Sequence, residues 1–192
     1  MFHILKNSDI FHAIAEKQIQ HFAHGANCWS TMGSGIAGFV AKRMPELYSA
    51  DQTFHLDPES RLGRYSETML KNGVMGYNLY TQFYPGPDAS ADMIRSSLTL
   101  MLEGIAESLV QEERTVVGIP AIGCGIGGLT LPILIQVCHE VTSLLDSDYP
   151  NRHVELVLFI RPGEFTRYTE SGACDDYLLS DISQLHNSGV PS

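Results

Sequence analysis

Cationic side chains are scarce in this chain of 192 residues: 12 Lys and Arg stand against 22 Asp and Glu, a formal charge of −10 at neutral pH. A surface that tracks nucleic-acid phosphates needs many Lys and Arg contacts, so broad binding to DNA or RNA is excluded. Any anion held here must be held by local backbone donors. Cysteine is thin as well, with Cys28, Cys124, Cys138 and Cys174 far apart and no CxxC pair. Together with the lack of a secretory signal, that spacing implies reduced thiols in a cytoplasmic protein rather than a disulfide framework. No apolar run approaches the roughly 20 residues of a membrane span, so no membrane partner is implied. Hydrophobic content of 44% and charged content of 18% are those of an ordinary globular chain, and the length suits one domain.

What is present in strength is glycine, gathered in two turns: Met32-Gly33-Ser34-Gly35-Ile36-Ala37 and Gly123-Cys124-Gly125-Ile126-Gly127-Gly128. Each lies between a short apolar run and an amphipathic stretch, that is, between a strand and a helix. Without side chains, backbone N–H groups approach an anion closely, and the helix that follows adds the positive end of its dipole. Two such turns suggest a clamp on two linked phosphates.

The rest of the chain reads as alternating strands and helices. Strands are expected at 2–5, at 19–23 with Gly25 marking the end, at 74–81, at 115–119 and at 154–160. Ile36, Val40 and Met44 share one helical face, closed by Pro45. Ser90 is an N-cap candidate with Asp92 in the first turn, and Ile94, Leu98, Met101, Leu102, Ile105 and Leu109 mark a long amphipathic helix. A further helix runs through Ile133, Val137, Val141, Leu144 and Leu145. Residues 48–72 have no clear period and read as an irregular insertion with some short helix. A short helix is expected over 176–185, in a polar tail with a frayed end. The alternation implies a three-layer α/β/α sandwich around a central mixed sheet, with the ligand beyond the carboxyl ends of the strands.

Taken in order, Asp9-Ile10, Gly25-Ala26-Asn27, Gly33-Ser34-Gly35-Ile36-Ala37 and Ile119-Pro120-Ala121-Ile122-Gly123-Cys124-Gly125-Ile126-Gly127-Gly128 resemble the macrodomain family across most of the chain. The strings from Ala26 to Pro45 and from Asn78 to Gln82 are most similar to the branch of ADP-ribose 1''-phosphate phosphatases and related bacterial and phage proteins. The resemblance implies one macrodomain-like domain over 1–192 that binds ADP-ribose or a derivative, with no cofactor and no metal. It places Asp9 and Ile10 at the adenine, and Asn27 beside the distal ribose. Gly33, Ser34, Gly35, Ile36 and Ala37 wrap that ribose and its phosphate, with Gln82 at the adjoining strand end. Gly123, Cys124, Gly125, Ile126 and Gly127 hold the diphosphate from the other side. Phe159 packs on adenine, with Phe165 as a rival. Four or five charge-assisted hydrogen bonds of roughly 1.5 to 3 kcal/mol each, plus one buried adenine and less the cost of association, support about −8 kcal/mol, or micromolar binding, without a lysine.

The chain departs from the pattern where some related hydrolases carry chemistry. Gln82 stands at a lysine position and Gly127 at an aspartate position, so a lysyl adduct lacks both actors. Ile36-Ala37-Gly38 holds no carboxylate, although another branch pairs its asparagine with one there. Asn27 and His24 remain as candidate catalytic groups, the first to orient water or the ribose and the second as general base if its loop turns it inward. His21, His24 and Cys28 look like metal ligands, but the two histidines fall on opposite faces of a strand and a fourth ligand is lacking. Cys124, without a local helper, reads as small-residue packing rather than a nucleophile. Asp9 has a competing role as a helix cap. Three functions stay open: hydrolysis of an ADP-ribose derivative, foremost the 1''-phosphate; a non-catalytic reader or metabolite sponge; and release of ADP-ribose from a modified protein or nucleic acid. For a phage-encoded protein the setting is the host cytoplasm.

Overall fold

The computed structural model describes residues 1–164 and 177–187. At its centre is a seven-stranded sheet in the order β3-β4-β2-β5-β6-β1-β7. Its strands are β1 (Phe2–Lys6), β2 (His21–Asn27), β3 (Tyr65–Met69), β4 (Met75–Gln82), β5 (Arg114–Ile119), β6 (His153–Ile160) and β7 (Leu178–Leu179). Neighbours run parallel except β3, which is antiparallel to β4, so the sheet is mixed as expected. The helices are α1 (Ile10–Ala15), α2 (Gly35–Arg43), α3 (Pro45–Gln52), α4 (Pro58–Arg61), α5 (Ala91–Ser108), α6 (Leu131–Asp148) and α7 (Ser183–Asn187).

Two apolar cores, one on each face of the sheet, make the three-layer sandwich. On one face α5 and α6 bury Ile94, Leu98, Met101, Leu102, Leu134 and Cys138 against Ala23, Val117 and Leu156. On the other, Ile10, Ile14, Val40, Met44 and Leu47 cover Phe22, Val116 and Val157. Strands β5 and β6 are buried on both sides, which is why they read as continuous apolar runs. Helix α5 follows the predicted stripe, although Ser90 occupies its N-cap position without a side-chain cap bond.

Three local readings change. Gly25 lies inside β2 rather than at its end, because a side chain there would meet Ile122 Cγ2 at 2.9 Å; the residue serves a close approach, not a turn. Pro45 opens α3 as well as closing α2: Met44, kept out of the helical region before a proline, is the joint between them. Within the aperiodic stretch 48–72 lie the end of α3, the single turn α4, and β3 on the edge of the sheet. Of the short helix expected over 176–185, the described part holds β7 and the start of α7.

Polar rather than apolar contacts organise that aperiodic stretch, which is why no hydrophobic period marks it. The Arg61 guanidinium is buried and donates to the carbonyls of Leu56 at 2.7 Å and Phe54 at 2.9 Å and to Ser30 Oγ at 2.6 Å. It lies over the rings of Phe54 and Tyr80, at 5.6 and 5.5 Å, and the Tyr80 hydroxyl donates to the buried Asp51 carboxylate at 3.0 Å. Removing the guanidinium leaves buried acceptors and a buried carboxylate without it. Arg61→Met is therefore expected to lower unfolding stability by roughly 3 kcal/mol, measured by urea denaturation, and an unchanged midpoint would refute this account.

Candidate functional site

The carboxyl ends of β2, β4, β5 and β6 open into one cleft of about 300 Å³. The register sets its geometry: Asn27 at the end of β2 lies opposite Gln82 at the end of β4, just past an irregularity between Ala26 and Asn27. The first glycine turn leads from β2 into α2, and the second leads from β5 toward α6. The two turns face each other, since a side chain added at Gly35 would lie 3.8 Å from Ile126 Cδ1.

Their backbone donors are open. The amides of Gly35, Ile36 and Ala37, and those of Gly125, Ile126 and Gly127, make no hydrogen bond among the described residues. The first set belongs to the start of α2, where intrahelical partners do not exist and where Ser34, the N-cap residue, makes no side-chain cap bond. The second set is free because the turn closes on itself through Cys124 N to Ala121 O, Gly128 N to Gly125 O and Leu129 N to Gly123 O, leaving the three amides between them to point elsewhere. Glycine is required for this shape: Gly35 and Gly123 have φ of +56° and +75°. At Gly127 a Cβ would lie 2.7 Å from Ala89 Cβ and 2.8 Å from Gly123 O.

One end of the cleft is polar. Asn27 Oδ1 accepts from the amides of Trp29 at 3.1 Å and Thr31 at 3.2 Å, and its Nδ2 donates to Thr31 O at 2.8 Å. The carboxamide oxygen is thus filled, and one N–H is left to donate into the cleft. The Gln82 amide donates to Tyr84 O at 2.7 Å and Gly86 O at 3.3 Å, so it staples the neighbouring loop. The other end is apolar. Ile10 and Phe159 line it, and Gly118 makes room for the Phe159 ring, since a side chain there would sit 3.1 Å from Phe159 Cε2. Arg161 also lines the cleft at this end, tied to Glu164 by two bonds of 3.1 and 2.8 Å.

No family model matches the chain. An uncharacterized 17.5 kDa protein from the tk-vs intergenic region of phage T4 is 36% identical over 132 residues, 66% of this chain and 83% of the relative. The macrodomain of Thermus aquaticus DarG superposes with a TM-score of 0.64 at 19% identity, over 83% of this chain and 97% of that one. The Trypanosoma brucei macrodomain in complex with ADP-ribose superposes with a TM-score of 0.62 at 16% identity, over 86% of this chain and 67% of that one. The chain belongs to one family with the phage protein, and its fold is the macrodomain fold.

Within this macrodomain, Ile10, Asn27, Ser34, Gly35, Ile36, Ala37, Gln82, Gly123, Gly125, Ile126, Gly127 and Phe159 line the common cleft. Asp9, His24, Gly33 and Cys124 do not. Asp9 caps α1 by accepting from Phe11 N at 2.9 Å. Cys124 is buried, with its thiol toward Ile122 O, and burial pushes its pKa up to about 12. Phe165 and Cys174 lie outside the described residues. Among the described residues no group of three His, Cys, Asp or Glu side chains is placed to hold a metal. Sequence reasoning passed over Thr31, Thr81, Pro85, Gly86 and Arg161, all of which line the cleft. Their signal was position alone: each lies within or beside a strand end, turn or chain break already singled out.

The expected catalytic placement of His24 is not met. It sits within β2, wholly buried, its ring stacked on Phe22 at 5.9 Å. The ring nitrogens face Asn78 Oδ1 at 2.7 Å and the Gly25 carbonyl at 3.0 Å. Burial lowers its pKa to about 4 and outweighs the two oxygens, which pull the other way. The neutral ring carries one N–H and so donates to only one of these two oxygens.

Two predictions follow from these placements. The unfolded chain protonates His24 near pH 6.5 and the folded one near 4, so the unfolded state binds more protons in that window and stability falls as pH drops through it, by roughly 3 kcal/mol in full. In urea titrations at pH 7 and 4.5, His24→Gln should lose less stability on acidification than the wild type; equal losses would place the titration elsewhere. Gly127→Ala should displace the second turn by contact with Ala89 and Gly123 and weaken ligand binding about ten-fold or more, while the far-ultraviolet circular dichroism is retained. Wild-type affinity in that variant would remove the turn from the site.

Proposed function

We propose that this macrodomain, acting as one unit, binds ADP-ribose or a derivative substituted at the distal ribose. The diphosphate lies between the two glycine turns, adenine toward Ile10 and Phe159, and the distal ribose at Asn27. The observation that carries this reading is the set of unpartnered amides facing one another across the cleft, a donor array suited to linked phosphates. The apolar end matches a purine, and the remaining Asn27 N–H matches a ribose hydroxyl. The Trypanosoma brucei macrodomain of the same fold was solved with ADP-ribose.

A second reading, hydrolysis at the distal ribose, is favoured by that free Asn27 N–H at the end of the cleft where a 1''-substituent would emerge. The foremost substrate is ADP-ribose 1''-phosphate, followed by ADP-ribosylated protein or nucleic acid. Glu164 is the carboxylate among the described lining residues and it is bonded to Arg161 at the opposite end. Water oriented by Asn27 would therefore pass its proton to the substrate's own phosphate oxygens rather than to a side chain.

Calorimetry separates these readings. ADP-ribose should bind with micromolar affinity, AMP at least ten-fold more weakly because it lacks the second phosphate, and Asn27→Ala about ten-fold more weakly, or roughly 1.4 kcal/mol. No heat with ADP-ribose at millimolar concentration would overturn the proposal. Phosphate release from ADP-ribose 1''-phosphate above a heat-inactivated control supports hydrolysis, and binding without release leaves recognition as the function.

A further inference from the structure

The chain has a single tryptophan, half-exposed and two residues from both Asn27 and Thr31, which line the cleft, although its own ring does not. Trp29 is 50% exposed and Tyr84 57%, and their rings lie within 8° of parallel with centroids 6.3 Å apart. Phe83 braces both edge-on, at 5.9 Å from Trp29 and 4.8 Å from Tyr84. Trp29 lies between Asn27 and Thr31 in the chain, and Tyr84 between Gln82 and Pro85, four residues that line the cleft at its distal-ribose end.

The rings are held rather than loosely exposed. The Trp29 amide donates to Asn27 Oδ1 at 3.1 Å, Gln82 holds the Tyr84 carbonyl at 2.7 Å, and Asp88 Oδ2 accepts from the amides of Phe83 at 3.0 Å and Tyr84 at 2.8 Å. An aromatic pair fixed in one orientation, with free faces, is a stacking surface for a third ring lying parallel to it. The Asp88 carboxylate that accepts from the Tyr84 amide is compatible with a neutral or cationic ring.

We propose that Trp29 and Tyr84 form a subsite for a planar nitrogen heterocycle joined to C1'' of the distal ribose. This rests on the ADP-ribose reading of the cleft and names a substituent that the site takes besides the 1''-phosphate: a flat ring, favoured over an aliphatic group. The shared chemistry is a ring glycosidically linked to ADP-ribose, whether the cationic pyridinium of a nicotinamide dinucleotide or a neutral azole.

The test compares four probes by calorimetry and by emission of the sole tryptophan: NAD, ADP-ribose bearing an N-linked imidazole, its 1''-O-methyl glycoside and the 1''-phosphate. At least one ring probe is expected to bind five-fold or more tightly than the methyl glycoside and to quench Trp29 emission, with the phosphate doing neither. In Trp29→Ala and, independently, in Tyr84→Ala, both changes at exposed positions, the ratio of ring to methyl affinity should fall to near one. Equal affinities for all four probes, or a ring preference that survives in both variants, would overturn the subsite while leaving the cleft assignment intact. Failure of the methyl glycoside and of ADP-ribose alike to bind would overturn the cleft assignment itself, and the subsite with it.

Discussion

Backbone amides without partners are what the rest of this molecule is arranged around. A buried amide in that state would be costly, but Gly35, Gly125 and Ile126 are exposed and water satisfies them until an anion arrives. Holding six such donors in place demands a rigid frame on each side. The parallel strands supply it, because β2 and β5 are adjacent and deliver their turns to the same edge of the sheet. The lack of side chains is then imposed by packing: Gly127 against Ala89 and Gly123, Gly38 against the Gly33 carbonyl. Donor array and close packing are one constraint seen from two sides.

The same arrangement gives an acidic chain donors for an anion that no cationic side chain has to supply. The guanidinium that lines the cleft, on Arg161, is tied to Glu164. The other important guanidinium, on Arg61, is spent in the interior, where it binds carbonyls and Ser30. Ser30 has φ of +56°, a strained value for a residue with a side chain, and is held there by Arg61 and by the Asp51 carbonyl at 3.1 Å. Its neighbours Trp29 and Thr31 donate to Asn27. A buried cation thus fixes the loop that orients the Asn27 carboxamide.

Much of the fold was legible because it rests on apolar periodicity: the stripe of α5, the runs of β5 and β6, and the glycine turns between strand and helix. The stretch 48–72 was not, because its centre is a polar knot around Arg61 and Asp51, and an edge strand such as β3 buries only part of one face. Gly25 misled for the same reason that Gly127 informed: sequence shows a missing side chain but not whether a turn or a close neighbour requires it. His24 stands in the interior because β2 runs two residues past the glycine expected to end it, carrying the histidine into the sheet. Trp29 and Tyr84 carried no pattern at all; their pairing spans 55 positions and arises only from the Asn27–Gln82 register.

That register also confines where chemistry can occur. With His24 neutral and enclosed, Cys124 protonated by burial and Gln82 occupied with its own loop, the side chain left at the polar end of the cleft is Asn27, whose oxygen is already filled. A carboxamide that can only donate is able to orient a hydroxyl or a water but not to deprotonate one. Selectivity at this end therefore has to come from shape and stacking rather than from acid–base matching. In the proposed subsite the aromatic pair beyond Asn27 would supply both: its rings lie within 8° of parallel, the Trp29 amide is held by Asn27, and Tyr84 is held by Gln82 and Asp88.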